Sequence, residues 1–145
     1  MSISSRFAVG IHILTLIEFN KEGVTSSEFL ASSVNTNPAV IRKLMGMLKK
    51  AGLIEVNPGI AGARLAKGLS EITMFDVYKA VNVVKENELF SIHESPHPDC
   101  PVGKNIQNII EPIFTAAQLA MEKVLVNVTL EDVLRDIETK ENICK

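Results

Sequence analysis

This 145-residue chain has no tryptophan, one tyrosine and two cysteines, and its aromatic content is only 5%. Cys100 and Cys144 cannot build the disulfide framework on which small secreted domains depend, so a reducing compartment fits. No stretch approaches the roughly 18 uncharged apolar residues that a membrane span requires. The opening MSISSRF lacks the basic-then-apolar order of a secretory leader, which points to the cytoplasm. Nucleophile elbow, P-loop, dinucleotide-binding glycine pattern and HExxH are all missing. Gly59 and Gly62 belong to a hairpin turn, without phosphate-cradle spacing, so no enzymatic activity is expected. Repeats and low-complexity tracts are also absent.

What is present is concentrated between Thr25 and Ile54, in TSSEFLASSVNTNPAVIRKLMGMLKKAGLI. Thr25 and Glu28 have capping-box spacing, in which hydroxyl and carboxylate satisfy free N–H groups at a helix start. Leu30 and Val34 give that first helix a buried stripe. Asn35-Thr36-Asn37 is turn-prone. Asn37 is a good N-cap, and Pro38 suits the first helical position, where its missing N–H would be unpaired anyway. Val40/Ile41, Leu44/Met45 and Leu48 recur with the helical period, and Gly52 is placed to end the helix in a left-handed cap. This predicts an amphipathic helix over 38–51, with Arg42, Lys43, Lys49 and Lys50 off the core. LIEVNPGIAGARLAKG follows, two short apolar runs around a turn. Helix, turn, helix and hairpin is the order of a winged helix, a mostly α fold with a small β-hairpin.

Charge divides the chain at the same place. Residues 1–68 hold 8 Lys/Arg against 4 Glu and no Asp, whereas the whole chain has a net charge of −2. A basic N-terminal half inside an acidic protein is the distribution that duplex DNA demands, because cations facing phosphates supply most non-specific affinity.

Elsewhere, Ser4 and Ser5 lead into a helix near 5–20, with Phe7, Ile11, Leu14 and Ile17 on one face and a partly buried His12 beside them. Thr73 and Asp76 cap a helix running to about Val84, with Ile72 and Val77 as its hydrophobic staple. Residues 85–101, rich in proline, read as a loop. A long helix over about 102–126 carries Ile106, Ile110, Ile113, Ala117, Ala120 and Val124 at heptad-like spacing, widened by Ile109, Phe114, Met121 and Leu125. At 1.5 Å per residue it reaches about 37 Å, more than one small winged helix needs, so a second copy is expected to cover the surplus apolar face. Pro112 deletes one backbone hydrogen bond and should kink it. Thr129 caps a last helix with Leu130, Val133, Leu134 and Ile137 inward. The expected partition is therefore 1–84 as DNA-binding domain, 85–101 as effector or sensor loop, and 102–145 as dimerisation helix and C-terminal helix.

Taken together, SSRFAVGIHILTLI, the LASSVNTNPAVIRKLMGMLKKAGLI core, the VNPGIAGARLAK wing and ITMFDVYKAV resemble the Rrf-two family of bacterial winged-helix transcriptional regulators. HESPHPDCPVGKNIQ is most like its YwnA-like branch. The resemblance implies a homodimeric regulator, in the first instance a repressor, gripping a pseudo-palindromic operator in the major groove. By position it gives DNA contacts to Thr25, Asn35, Asn37, Val40, Ile41, Arg42 and Lys43, with Arg42 foremost. It implies phosphate contacts at Ser4, Ser5 and Arg6, and a wing formed by Gly59, Gly62 and Arg64. Asn57 stands where cluster-binding relatives often have arginine.

Those relatives use three cysteines in the loop before the long helix, whereas this loop offers only Cys100. An iron–sulfur cluster is thus not expected, since clusters usually need four protein ligands. No other cofactor is implied. His93, His97 and Cys100, spaced H-x3-H-x2-C, form a weak candidate set for a borderline metal. Cys100 also stands near a helix N-terminus, where a thiolate is favoured and a redox or thiol sensor could operate. The rival classes are a metal-responsive regulator and a winged-helix module for protein interaction without DNA.

Overall fold

The computed structural model describes residues 3–56, 62–81, 90 and 96–141, with side chains from Ser5 onward. Asn57 and Gly59 in the hairpin turn, the expected helix end at Val84, His93 and Cys144 lie outside the described residues.

Six helices and one hairpin make up these residues. Helix α1 spans Ile3–Phe19 and turns Ile13, Leu14 and Ile17 into the core. Phe7 meets Tyr78 edge to face, with ring centroids 5.7 Å apart, and so ties α1 to α4, Met74–Val81. His12 is exposed rather than partly buried, and its Nε2 lies 3.2 Å from the Ser33 hydroxyl.

Helix α2 covers Ser27–Val34. Its N-cap is Ser26, whose Oγ accepts the Phe29 N–H at 3.1 Å, so the capping box expected at Thr25 and Glu28 does not form. Thr25-Ser26-Ser27 offers three capping hydroxyls in a row. Ser26 takes the role because Thr25 is drawn into the interior, 2% exposed.

Helix α3, Pro38–Lys50, begins as the sequence predicts: Asn37 Oδ1 accepts the Ala39 N–H at 2.7 Å, with Pro38 in the first position. It buries Ile41, Leu44 and Leu48. At its end the Leu53 N–H reaches the Leu48 carbonyl and the Gly52 N–H the Lys49 carbonyl, both at 3.0 Å, with Gly52 at φ +78°. This pair of bonds is the Schellman closure that a left-handed residue permits.

Strands β1, Ile54–Glu55, and β2, Arg64–Leu65, pair antiparallel with Ile54 opposite Leu65 and Glu55 opposite Arg64. A short 3-10 turn at Leu69–Glu71 then leads to α4. Reciprocal bonds between Thr73 and Asp76 cap α4 as expected, and Ile72 and Val77 are both fully buried.

Helix α5 spans Pro101–Val126, and α6 spans Leu130–Lys140. Helix α5 continues through Pro112. Thr129 and Asp132 form a complete capping box on α6. Leu130 and Leu134 are buried, but Ile137, expected inward, is exposed because it falls in the last turn, beyond the core.

The described residues fall into two compact units, one from 1–83 with 126–145 and the other from 84–125. In the first, α6 packs on α1. Antiparallel bonds from the Met74 N–H to the Val128 carbonyl and from the Leu130 N–H to the Ile72 carbonyl, each 2.8 Å, pin its start to that of α4. Burying each Leu or Ile of this core stabilises by roughly 1.5–3 kcal/mol relative to exposure. Among the described residues no helix is long and apolar enough to cross a membrane.

Candidate nucleic-acid interface

The first unit carries a helix-turn-helix followed by a hairpin. The turn depends on Asn35, the one non-glycine residue with positive φ among those described, at φ 62°. Asparagine tolerates this left-handed geometry better than most residues, and the Thr36 N–H closes onto the Ala31 carbonyl at 3.0 Å. Asn35 and Asn37 are both exposed, yet each has a backbone role that fixes how α3 departs from α2.

Because α3 seats Ile41, Leu44 and Leu48 in the core, the helical period turns Arg42, Lys43, Lys49 and Lys50 outward, and all four are exposed. Val40 is half-buried. Two residues placed on this surface by position are not on it. Ile41 is fully buried, and Thr25 lies inside with its backbone against the hairpin. Both support the surface from behind.

A cleft of about 400 Å³ opens between α2, α3 and the hairpin, lined by Ser26, Glu28, Arg42, Lys49, Val56 and Gly62. Gly62 has φ +93°, and a Cβ there would lie 2.9 Å from the Thr25 backbone nitrogen. Only glycine fits both that angle and that approach. Arg64 is exposed on β2 and donates from Nη1 to the Lys21 carbonyl at 2.9 Å, a bond across 43 positions that ties the hairpin to the end of α1. Ser5 is exposed on α1 and Arg6 is half-buried beside it, its Nε enclosed with no hydrogen-bond partner among the described residues. Ser4 lies in the same first turn, its side chain not described.

Sequence spacing missed one contact here. Arg42 Nη1 stands 3.7 Å from Glu28 Oε1, pairing the second helix of the motif with the first. Local patterns could not reveal it, because the two residues lie on different helices and Glu28 reads as a capping partner.

In the second unit, Cys100 directly precedes α5 and is exposed. Its carbonyl accepts the Lys104 N–H at 2.7 Å. The N–H groups of Gly103, chiefly, and of Val102 hold the Cys100 thiol below its usual pKa, against a smaller upward push from burial. Gly103 permits this turn, since a Cβ there would come within 2.7 Å of the His97 carbonyl. His97 is exposed, and its Nδ1 accepts the Asp99 N–H at 3.1 Å. Groups of three or more candidate metal ligands are absent among the described residues.

Along α5, Ile106, Ile113, Ala117, Ala120 and Val124 are exposed, with Ile113 at 59% and Val124 at 63%, while Ile110 is half-buried. Val102, Ile109 and Leu119 add to this apolar exposure. Phe114, expected to widen the stripe, is half-buried and meets the Phe90 ring at a 35° tilt with centroids 5.2 Å apart.

Residues 3–136 match the profile of the Rrf2 family, described as an iron-dependent transcriptional regulator. The chain belongs to the Rrf2 family. This Rrf2 protein is 47% identical over 135 residues to YwnA of Bacillus subtilis (strain 168), put forward as an HTH-type transcriptional regulator; the match covers 93% of this chain and 98% of YwnA. A crystal structure put forward as a DNA-binding protein superposes with a TM-score of 0.73 at 42% identity, over 89% of this chain and 98% of that one. CymR, the global cysteine regulator of B. subtilis, has the same fold at 22% identity, with a TM-score of 0.67 over 93% of this chain and 97% of its own. Rrf2 membership accounts for the architecture, a winged helix with a long additional helix.

Proposed function

We propose that this Rrf2 protein is a cytoplasmic, homodimeric transcriptional regulator that binds double-stranded DNA, in the first instance as a repressor. The observation that carries the reading is α3. Its apolar side is locked in the core, its start is capped, and Arg42 and Lys43 project from its N-terminal half. A helix presented in this way enters the major groove, with arginine able to engage guanine or a phosphate through two N–H groups. Lys49 and Lys50 extend the positive surface, and Gly62 keeps the hairpin close beside it.

The α5 stripe supports self-association. Exposed Ile106, Ile109, Ile113 and Val124 on one helix are what a second copy would cover. A dimer of helix-turn-helix units favours a pseudo-palindromic site, with half-sites one DNA turn, roughly 34 Å, or a multiple of it apart. Cys100 supports a thiol-based response: an exposed thiol with a lowered pKa holds a larger share of thiolate, the nucleophilic form, than an ordinary cysteine. Oxidation or an adduct at Sγ would remove the acceptor of the Gly103 and Val102 N–H groups at the very start of α5.

The family description names iron. Iron–sulfur clusters generally take four protein ligands, mainly cysteines, and this chain has two cysteines in all. Its own thiols therefore do not fit a cluster, and the proposed mechanism has no step through one.

The test is a mobility-shift titration on genomic fragments at rising salt. Binding through several Lys and Arg should fall steeply from low to moderate salt. Arg42→Ala should weaken binding at least tenfold while the protein keeps its dimeric mass, and an unchanged footprint would remove Arg42 from the interface. No shift at low salt, with or without reductant, would leave a protein-interaction module as the better reading.

A further inference from the structure

Among the exposed cations of the surface assigned to DNA, α2 places a carboxylate. Glu28, on α2, has a side chain 72% exposed, and its Oε1 stands 3.7 Å from Arg42 Nη1. Its Oε2 accepts the Ser27 hydroxyl at 3.3 Å. Since Ser26 caps α2 by itself, Glu28 is released from the capping role its spacing suggests and can reach across to α3. Both side chains line the cleft between the helices and the hairpin. The pair is open to water, so it adds little to the fold. A carboxylate facing approaching phosphates also costs non-specific affinity. Neither stability nor general DNA affinity accounts for it.

We infer that Glu28 is a positioning residue for Arg42, holding one edge of the guanidinium so that its other N–H groups address a base edge rather than the nearest phosphate. The inference rests on the DNA-binding reading given above. Guanidinium is planar, with five donors in a fixed fork, so anchoring one terminal nitrogen restricts where the remaining ones point. Binding DNA expels water from the cleft, lowers the local dielectric and strengthens the pair at the moment of readout. The carboxylate also opposes a competing phosphate beside Arg42. Both effects raise the contrast between specific and non-specific sites.

The test needs no known operator. Wild-type full-length protein selects duplexes from a random library, and binding to the selected duplex is compared with binding to the unselected pool. For Glu28→Gln, affinity for the pool should rise several-fold and preference for the selected duplex should fall roughly tenfold, about the discrimination one good bidentate arginine–base contact supplies. Arg42→Ala should lose the same preference, and adding Glu28→Gln to it should lower that preference no further. Undiminished preference in Glu28→Gln, or losses that add in the double variant, would overturn the positioning role. A wild-type protein that enriches no sequence would overturn the DNA-binding reading and this role together. Because both side chains are exposed, each variant should keep the wild-type melting temperature, which checks that only recognition has changed.

Discussion

Helices α3 and α5 are both amphipathic, yet they dispose of their apolar sides in opposite ways. In α3, Ile41, Leu44 and Leu48 vanish into the core of the same chain, and the charged side meets solvent. In α5, Ile106, Ile109, Ile113 and Val124, along one side, are left in solvent. A helix that is finished within its own chain presents chemistry to a ligand, whereas a helix with an uncovered apolar stripe presents surface to another protein. Under the proposed function, the contrast separates reading from assembly along a single sequence.

Breaking the closed side should have the largest effect. Leu44→Ala removes a buried side chain from α3 and is expected to cost about 2–5 kcal/mol in urea unfolding. A loss under about 1 kcal/mol would mean that α3 is not held as described. Charging the open side should leave the fold intact. Ile113→Glu is expected to keep the helical circular-dichroism signal while the sedimenting mass falls to that of one 15.9 kDa chain. If the variant and the wild type sediment alike, the stripe is not the dimer surface.

Smaller effects sharpen the boundary between the two regions. Thr129→Ala deletes the hydroxyl of the α6 capping box and should cost about 1 kcal/mol. The same threonine, first through its N–H and then its hydroxyl, holds the Asp132 carboxyl below the usual range, with further help from Arg135. A carboxyl depressed in the folded state contributes stability above its unfolded pKa and loses it as pH falls through the folded value. Thr129→Ala keeps the backbone N–H and removes only the hydroxyl, so it should flatten the acid limb of the stability profile in part, and a limb of unchanged steepness would mean that the N–H alone holds the carboxyl down. The gentlest probe is alkylation of Cys100 in a Cys144→Ser background. Its reaction should reach half-maximum below the ordinary thiol value of about 8.5 and return there on unfolding in denaturant. A midpoint the same in both states would leave the thiol without activation.

Much of this was legible in the sequence, where local chemistry decides. Asn37-Pro38, Thr73/Asp76 and Gly52 each act within four residues of their partners, and the helix ends fall where those residues place them. Periodicity also foresaw which side of α5 is apolar, and the structure leaves most of that stripe exposed. The failures are nonlocal. Thr25 reads as a cap until the hairpin packs against it, Glu28 reads as its capping partner until α3 stands opposite, and the bond from Arg64 to the Lys21 carbonyl spans 43 positions and leaves no local trace. Likewise Ile41 qualifies for the reading surface by number alone and is removed from it by the exact rotation of its helix.

At Gly62 there is no room even for a methyl group between the returning strand and the segment leading into α2. Any side chain at this position would have to wedge the hairpin away from the backbone of Thr25, and with it from the cleft beside α3.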